Sequence, residues 1–223
     1  MSTFFSGALK NLAPYTPGEQ PQDQQYVKLN TNESPYPPSA GVITALNAKE
    51  ASDLRLYSDP ECKELKKALA DYYKVEPENI YVGNGSDEAL NFAFLSYATD
   101  GRGVAFADIT YGFYPVFADL YHIPVQIVPL KSDFSIAPED YYGLNKTIVI
   151  ANPNAPTGMA LSRDAIEGIV KANPDSVVVV DEAYVDFGAE SCVGLTKIYP
   201  NLLVVQTYSK SRSMAGARLG YAI

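Results

Sequence analysis

The sequence predicts an α/β fold in which helices cover both faces of a mostly parallel β-sheet. Six short runs rich in Val, Ile and Leu follow one another after residue 78, and most of them are apolar without alternation. Such runs are typical of strands that are buried on both faces. Helical patterns lie between several of the runs, which indicates a doubly wound arrangement. The runs are NIYVG, RGVAFAD, VQIVPL, KTIVIAN, SVVVVD and NLLVVQT.

The segments before and between these runs predict the other elements. Residues 1–38 are rich in Pro, Gln and Asn, and we expect them to form an extended arm ahead of one domain over residues 39–223. Ser39 is a candidate cap for a short helix. The stretch ECKELKKALADYYKV has the apolar spacing of an amphipathic helix. Further helices are predicted at SDEALNFAFLSYA, YGFYPVFADLY and SRDAIEGIVKAN.

The composition argues against several functional classes. A net charge of −9 does not suit a nucleic-acid surface, and no apolar run is long enough to predict a membrane span. His122 is the only histidine, so neither a histidine-based metal site nor a Ser–His triad is predicted, and we expect it to be a surface or packing residue. Cys62 and Cys192 stand far apart without a CxxC motif, and the N-terminus lacks the features of a signal peptide. This pattern predicts a cytoplasmic protein with free thiols.

Polar and glycine-rich segments follow the predicted strands. Because ligands bind beyond the carboxyl ends of the strands in such sheets, we expect these segments to converge on one crevice. They are residues 83–88, 108–111, 152–158, 181–184 and 207–210.

Lys210 and Asp181 are the candidates for chemistry in this crevice. Most lysines are solvated surface residues, but Lys210 directly follows an apolar run, where lost solvation would lower the pKa of its ammonium group. A neutral amine can form a Schiff base with an aldehyde. Asp181 follows four valines and could cap a helix, or it could pair with a cationic ring nitrogen. Tyr184 could direct its hydroxyl at the same ring.

The segment GNGSDEAL predicts an anion site. Ser86 opens a helix, whose free N–H groups and dipole suit a phosphate, although Asp87 and Glu88 also fit simple capping of its first turn. Tyr111 could stack on a flat ring or pack in the core. Thr207, Ser209 and Arg218 could contact the same phosphate. An aldehyde, a pyridine nitrogen, a phosphate and a flat ring together describe pyridoxal 5′-phosphate.

These residues also carry a family resemblance. The chain resembles the fold-type I, pyridoxal-phosphate-dependent aminotransferases of class I/II, and within them the histidinol-phosphate aminotransferases. The resemblance covers nearly the whole chain in the order and spacing of that family. Its motifs are YTPG, KLNTNESPYPPS, LYSDPEC, GNGSDEAL, DITYGFY, NPNAPTG, VVDEAYVDF and TYSKSRSMAGARLGY.

The resemblance implies a role for each candidate. Lys210 matches the Schiff-base lysine, Asp181 the partner of the pyridine nitrogen, and Tyr184 the residue that binds the ring hydroxyl. Tyr111 matches the stacking residue, and Ser86, Asp87, Ser209 and Arg218 match the phosphate site. Tyr57 matches a tyrosine that reaches the phosphate of the cofactor bound in the neighbouring subunit, which implies a homodimer. Tyr15 and Asn32 match positions that line the substrate site.

The chain departs from that family in two places. Ala155 stands where an Asn that binds the ring hydroxyl usually precedes the proline of PTG. Either Asn154 replaces that Asn after a local backbone shift, or Tyr184 binds the ring hydroxyl alone, and we expect weak replacement by Asn154. The resemblance also implies a seven-stranded sheet and a small C-terminal domain, which lies largely beyond Ile223.

The resemblance implies amino transfer from histidinol phosphate to 2-oxoglutarate, giving glutamate, in histidine biosynthesis. Together with the composition, this leaves no metal, membrane or nucleic-acid partner predicted. An aromatic amino-acid aminotransferase, a decarboxylase of phosphorylated amino acids and a non-catalytic fragment that binds the cofactor remain alternatives.

Overall fold

A seven-stranded sheet lies at the centre of the protein. The computed structural model describes residues 19, 23–24, 27–46 and 52–223. The strands are β1 (Tyr81–Asn84), β2 (Val104–Ala107), β3 (Val125–Val128), β4 (Thr147–Ala151), β5 (Val178–Asp181), β6 (Leu202–Thr207) and β7 (Leu219–Ala222). Their order across the sheet is β1-β7-β6-β5-β4-β2-β3. All pairs are parallel except the two made by β7, which is antiparallel to both β1 and β6.

Helices connect the strands and cover the sheet. Within the described residues they are α1 (Ala40–Ala45), α2 (Lys63–Tyr73), α3 (Ser86–Tyr97), α4 (Tyr114–Leu120) and α5 (Arg163–Ala172). Short 3-10 helices are Pro77–Asn79, Pro138–Tyr141, Val185–Phe187, Val193–Lys197 and Ala215–Ala217. The hydroxyl of Ser39 accepts a hydrogen bond from the Val42 N–H at 3.4 Å, so the predicted cap of α1 is confirmed.

The core divides into two apolar clusters that contain alternate residues of the strands. Every residue of β2, β4 and β5 is buried, as continuous apolar runs predict for central parallel strands. Ile148, Ile150 and Val204 belong to one cluster, and Val149, Val179 and Val205 belong to the other. This sheet between two apolar clusters confirms the predicted α/β class. All six strands predicted from the apolar runs are present, and a seventh completes the seven-stranded sheet that the resemblance implied.

The family resemblance led us to expect seven strands, but the apolar runs located only six of them. The seventh strand, β7, consists of LGYA and lies between β1 and β6 in the antiparallel direction. It is short and adjoins a polar segment, so it has little pattern of its own. Its position brings Arg218, the residue before it, next to the start of α3.

Residues 27–39 contain neither helix nor strand. Most of the predicted arm over residues 1–38 lies outside the described residues, so the arm and its boundary stay a prediction. Within the described part of the chain, no helix is long and apolar enough to cross a bilayer. The same part contains no cluster of His, Cys, Asp and Glu that could hold a metal ion. His122 is exposed, as predicted.

Candidate active site

A cavity of about 360 Å³ opens at the carboxyl ends of the parallel strands. All five strand-end segments that the sequence singled out contribute residues to its lining. The predicted site residues that line it are Ser86, Asp87, Tyr111, Asp181, Tyr184, Thr207, Ser209, Lys210 and Arg218. They come together because the strands end at one edge of the sheet.

Lys210 lies just beyond β6 and is half-buried. Its amine donates a hydrogen bond to the carbonyl oxygen of Thr31 at 3.0 Å. It also lies 5.6 Å from the centre of the Tyr184 ring. These contacts hold the amine at the wall of the cavity, where a bound carbonyl compound can reach it.

Asp181 ends β5 and is 4% exposed. Its carboxylate accepts hydrogen bonds from the Tyr114 hydroxyl at 2.7 Å and from the Ala183 N–H at 3.1 Å. Burial raises the pKa of the Asp181 carboxyl to about 6, although these two hydrogen bonds and the charge of Lys210 act to lower it. The site therefore holds a carboxylate whose charge the protein alone only partly compensates.

An open helix start adjoins this carboxylate. The N-cap residue of α3 is Gly85, which has no side chain to cap the helix, so the first N–H groups can bind an anion. Gly85 has φ +77°, and a Cβ built there would lie 2.8 Å from Nη2 of Arg218. Glycine at this position lets the guanidinium lie close to the helix start.

The hydroxyls of Thr207 and Ser209 lie at the end of β6. The Thr207 hydroxyl donates to the Ser209 hydroxyl at 3.0 Å, and both residues are buried. Because Ser209 accepts in this pair, its own proton is free for a group in the cavity. These two residues add a neutral donor to the cationic Arg218.

Tyr111 is fixed by Asp87. Its hydroxyl donates to the Asp87 carboxylate at 2.9 Å, and the other carboxylate oxygen lies 3.7 Å from Nη2 of Arg218. The ring of Tyr111 makes an edge contact with Tyr114, with 5.5 Å between the ring centres. Asp87 thus contacts both Tyr111, the candidate for stacking on the ring, and Arg218, a candidate for binding the phosphate.

Some predicted residues are not brought to the cavity. The Asn154 amide accepts from the Thr110 hydroxyl and donates to the Ile109 carbonyl and the Thr157 hydroxyl, while the methyl group of Ala155 lines the cavity. Tyr57 is fully exposed and lies outside the cavity. Tyr15 lies outside the described residues.

Asn32 takes part in the site through another side chain. Its Nδ2 donates a hydrogen bond to the Tyr184 hydroxyl at 2.9 Å. Its roles and those of the other site candidates stay predictions.

Sequence reasoning missed three participants. Thr31 supplies the carbonyl that binds Lys210, Glu33 lines the cavity, and Tyr114 binds Asp181. Tyr114 belongs to a helix whose pattern indicates only core packing, so the sequence has no signal for its polar contact. Thr31 and Glu33 flank Asn32, and only the motif KLNTNESPYPPS drew attention to that segment.

Comparison with known proteins shows what this chain is similar to. Residues 24–223 match the sequence family described as aminotransferase class I and II. The chain is 57% identical over 224 residues to a histidinol-phosphate aminotransferase of Marinomonas sp., and 51% identical over 223 residues to one of Clostridium botulinum. Each match covers the whole chain, but the chain spans only 64% and 63% of the length of those curated relatives.

A solved structure has the same fold. The histidinol-phosphate aminotransferase of Sinorhizobium meliloti, determined in complex with pyridoxal-5′-phosphate, superposes with a TM-score of 0.76 and 27% sequence identity. The similarity covers 86% of this chain and 55% of that one.

Proposed function

Because this chain belongs to the class I and II aminotransferases, we propose that it binds pyridoxal 5′-phosphate and takes part in transamination. One observation carries the proposal. A single cavity contains an amine, a buried carboxylate and an uncapped helix start beside an arginine. These are the three groups that an aldehyde, a pyridine nitrogen and a phosphate require.

The residues around the cavity fit the cofactor group by group. The N–H groups at the start of α3, the Ser86 and Ser209 hydroxyls and Arg218 would hold the phosphate, with Thr207 supporting Ser209. Tyr111 would stack on the ring, and Tyr184 would donate to the ring hydroxyl. The space between Gly85 and Arg218, which a Cβ would fill, supports this arrangement. When bound, the cofactor supplies a protonated pyridine ring that withdraws electrons from the substrate.

Asp181 orients and stabilises that ring. Its carboxylate is buried without a full positive partner, so a cationic ring nitrogen would restore its charged form. The hydrogen bonds from Tyr114 and Ala183 fix the direction of its oxygens. Tyr114 remains a donor, because burial and the Asp181 charge hold the pKa of its hydroxyl far above the ordinary value.

Lys210 is the base of the proposed reaction. Its Nζ would remove the proton from the substrate Cα, hold it, and return it as general acid. The Thr31 carbonyl, 3.0 Å from Nζ, would keep the amine near this path. Asp181 and Lys210 therefore carry the chemistry, and Tyr184 adjusts it through the ring hydroxyl.

The relatives indicate the substrate. We propose histidinol phosphate as amino donor and 2-oxoglutarate as acceptor in histidine biosynthesis, because the curated relatives at 57% and 51% identity are histidinol-phosphate aminotransferases. Tyr15 and Asn32 would lie on the substrate side. We also propose a homodimer in which Tyr57 reaches the partner's cofactor. A cytoplasmic location suits the free thiols Cys62 and Cys192.

Chemical trapping tests the role of Lys210. Borohydride reduction of the cofactor-loaded protein followed by peptide mapping should find the pyridoxyl group on Lys210. Lys210→Arg should lose the label, whereas Lys197→Arg, which changes an exposed lysine, should keep it. A label on Lys197, or on no lysine, would contradict the proposal.

Substrate assays test the reaction class. A full-length protein that contains this chain should transfer the amino group of histidinol phosphate to 2-oxoglutarate faster than that of phenylalanine, whereas residues 1–223 alone should bind the cofactor without useful turnover. Release of CO₂ from a phosphorylated amino acid would instead indicate a decarboxylase.

A further inference from the structure

The Tyr184 hydroxyl has a partner that comes from far away in the chain. Nδ2 of Asn32 donates to it at 2.9 Å, across 152 positions of sequence. Asn32 precedes α1, whereas Tyr184 follows β5 and lines the cavity. The contact therefore ties the segment ahead of the first helix to the site.

The backbone around Asn32 supports this contact. Thr31 and Asn32 have φ values of 59° and 51°, in the left-handed region. A β-branched residue rarely adopts that conformation, and such strain collects at functional sites. The two residues contact two neighbouring groups of the site, since the Thr31 carbonyl accepts from Lys210 and the Asn32 side chain donates to Tyr184.

The direction of the hydrogen bond determines where the Tyr184 proton points. An amide nitrogen can only donate, so the phenol oxygen accepts from Asn32. The phenol proton is then left for another acceptor, and Tyr184 lines the cavity in which such an acceptor would bind.

The wall near Tyr184 lacks another amide within the described part of the chain. Ala155 lines the cavity, and its side chain has no hydrogen-bonding atom. The neighbouring Asn154 uses its amide on Thr110, Ile109 and Thr157. Among the described residues, Asn32 therefore supplies the side-chain amide that donates to the Tyr184 hydroxyl.

We infer that Asn32 is a positioning residue that acts through Tyr184. By donating to the phenol oxygen, Asn32 holds the phenol proton toward the cavity, where Tyr184 can donate it to an ionised oxygen of the cofactor ring. The inference assumes the cofactor of the proposed function but concerns a contact within this chain. This role of Asn32 does not require contact with the substrate.

The test uses the pH dependence of the bound cofactor's visible absorption band. A hydrogen bond donated to an ionised oxygen stabilises its ionised form, so removing it raises the pH midpoint of the spectral change. Tyr184→Phe should raise the midpoint by up to about one pH unit. Asn32→Gly should raise it in the same direction by a smaller amount. Glycine is chosen because it tolerates the left-handed backbone of Asn32.

A double variant separates positioning from direct contact. If Asn32 acts through Tyr184, adding Asn32→Gly to Tyr184→Phe should not move the midpoint further. Asn91→Ala is the control for loss of an Asn–Tyr hydrogen bond away from the cavity, where the Tyr121 hydroxyl donates to Oδ1 of Asn91 at 2.8 Å. It should leave the midpoint unchanged. The charged groups that line the cavity are the same in all variants: Glu33, Asp87, Asp181, Lys210 and Arg218.

The outcomes distinguish this inference from the proposed function. A midpoint that moves in Tyr184→Phe but not in Asn32→Gly would overturn the role of Asn32 alone. An Asn32→Gly variant that changes only the KM for the amino donor would also overturn it, since the residue would then contact substrate directly. A parent protein without any visible band would overturn the proposed function, and the inference with it.

Discussion

The surroundings of Asp181 oppose the charge of its carboxylate. The residue is 4% exposed at the end of β5, and burial raises the pKa of its carboxyl to about 6. The hydrogen bonds from Tyr114 and Ala183 offset only part of the lost solvation. A buried carboxylate of this kind stabilises a bound cation, but it destabilises the folded state when the cation is absent.

Asp181→Asn should therefore stabilise the cofactor-free protein. Because the folded pKa lies above the unfolded one, the folded state binds more protons between about pH 4 and pH 6, and its stability falls as pH rises through that window. We expect the variant to exceed the parent by roughly 1–3 kcal/mol at pH 7 and to match it near pH 4. Denaturant unfolding across this pH range measures the difference. A parent at least as stable as the variant at pH 7 would contradict the prediction.

The same substitution should impair catalysis, because an amide cannot stabilise a protonated ring nitrogen. We expect the rate of the half-reaction to fall by more than the cofactor affinity does. Stopped-flow kinetics with glutamate, together with cofactor titration, separates the two effects. A variant within a few-fold of the parent rate would remove Asp181 from its proposed role.

Asn154 should matter for stability and not for the cofactor. Its amide makes three hydrogen bonds to Ile109, Thr110 and Thr157, and the residue is buried. Asn154→Ala leaves buried partners unsatisfied, so we expect a loss of roughly 1–3 kcal/mol in the free energy of unfolding. The visible band of the bound cofactor should keep its pH midpoint. A shifted midpoint with unchanged stability would instead support the direct role that the sequence suggested.

The junction of β7 with α3 is the element that forms the anion site. A Cβ on Gly220 would lie 2.3 Å from the carbonyl carbon of Gly85 and 2.4 Å from the Ser86 nitrogen. Only glycine allows β7 to pass so close to the helix start. The strand in turn positions Arg218, which precedes it, beside Gly85 at the helix start.

Gly220→Ala should separate these two elements. We expect a loss of roughly 1–3 kcal/mol in unfolding free energy and weaker binding of both the cofactor and inorganic phosphate. Gly194→Ala is the matched control, because a Cβ there meets no atom within 4 Å. Calorimetric titration and denaturant unfolding measure both effects. Unchanged phosphate binding in a destabilised Gly220→Ala protein would show that the junction does not form the anion site.

At the scale of the whole molecule, the described part of the chain includes an exposed apolar segment. Leu54, Leu56 and Tyr57 are 83%, 55% and 106% exposed, respectively. Exposed apolar residues that lie close together often mark an interaction surface. A second copy of the chain is the partner that the family resemblance implies.

Tyr57→Phe should therefore weaken cofactor binding although Tyr57 lies outside its own chain's cavity. Loss of a hydrogen bond to a phosphate costs roughly 1.5–3 kcal/mol, which corresponds to at least about tenfold in affinity. Tyr72→Phe, which alters another exposed tyrosine, should have no effect. Cofactor titration and sedimentation on the same samples provide the measurement. A monomeric parent that binds the cofactor as tightly as the dimer would contradict the shared site.

The sequence by itself determined the local and periodic features of this protein. Continuous apolar runs predicted β2, β4 and β5, because a strand buried on both faces has no polar position to alternate with. The strand-end rule predicted that Lys210, Asp181 and Ser86 would meet, because parallel strands end at one edge.

Only the tertiary structure decided the contacts between segments that are remote in sequence. The insertion of β7 depends on close packing against Gly85, and Tyr114 meets Asp181 across 67 positions. Asn32 reaches Tyr184 across 152 positions. Periodicity records which side of an element is buried, but it does not record which distant side chain arrives there. That choice is made by packing, and so the partners of the site residues emerge only when the chain is folded.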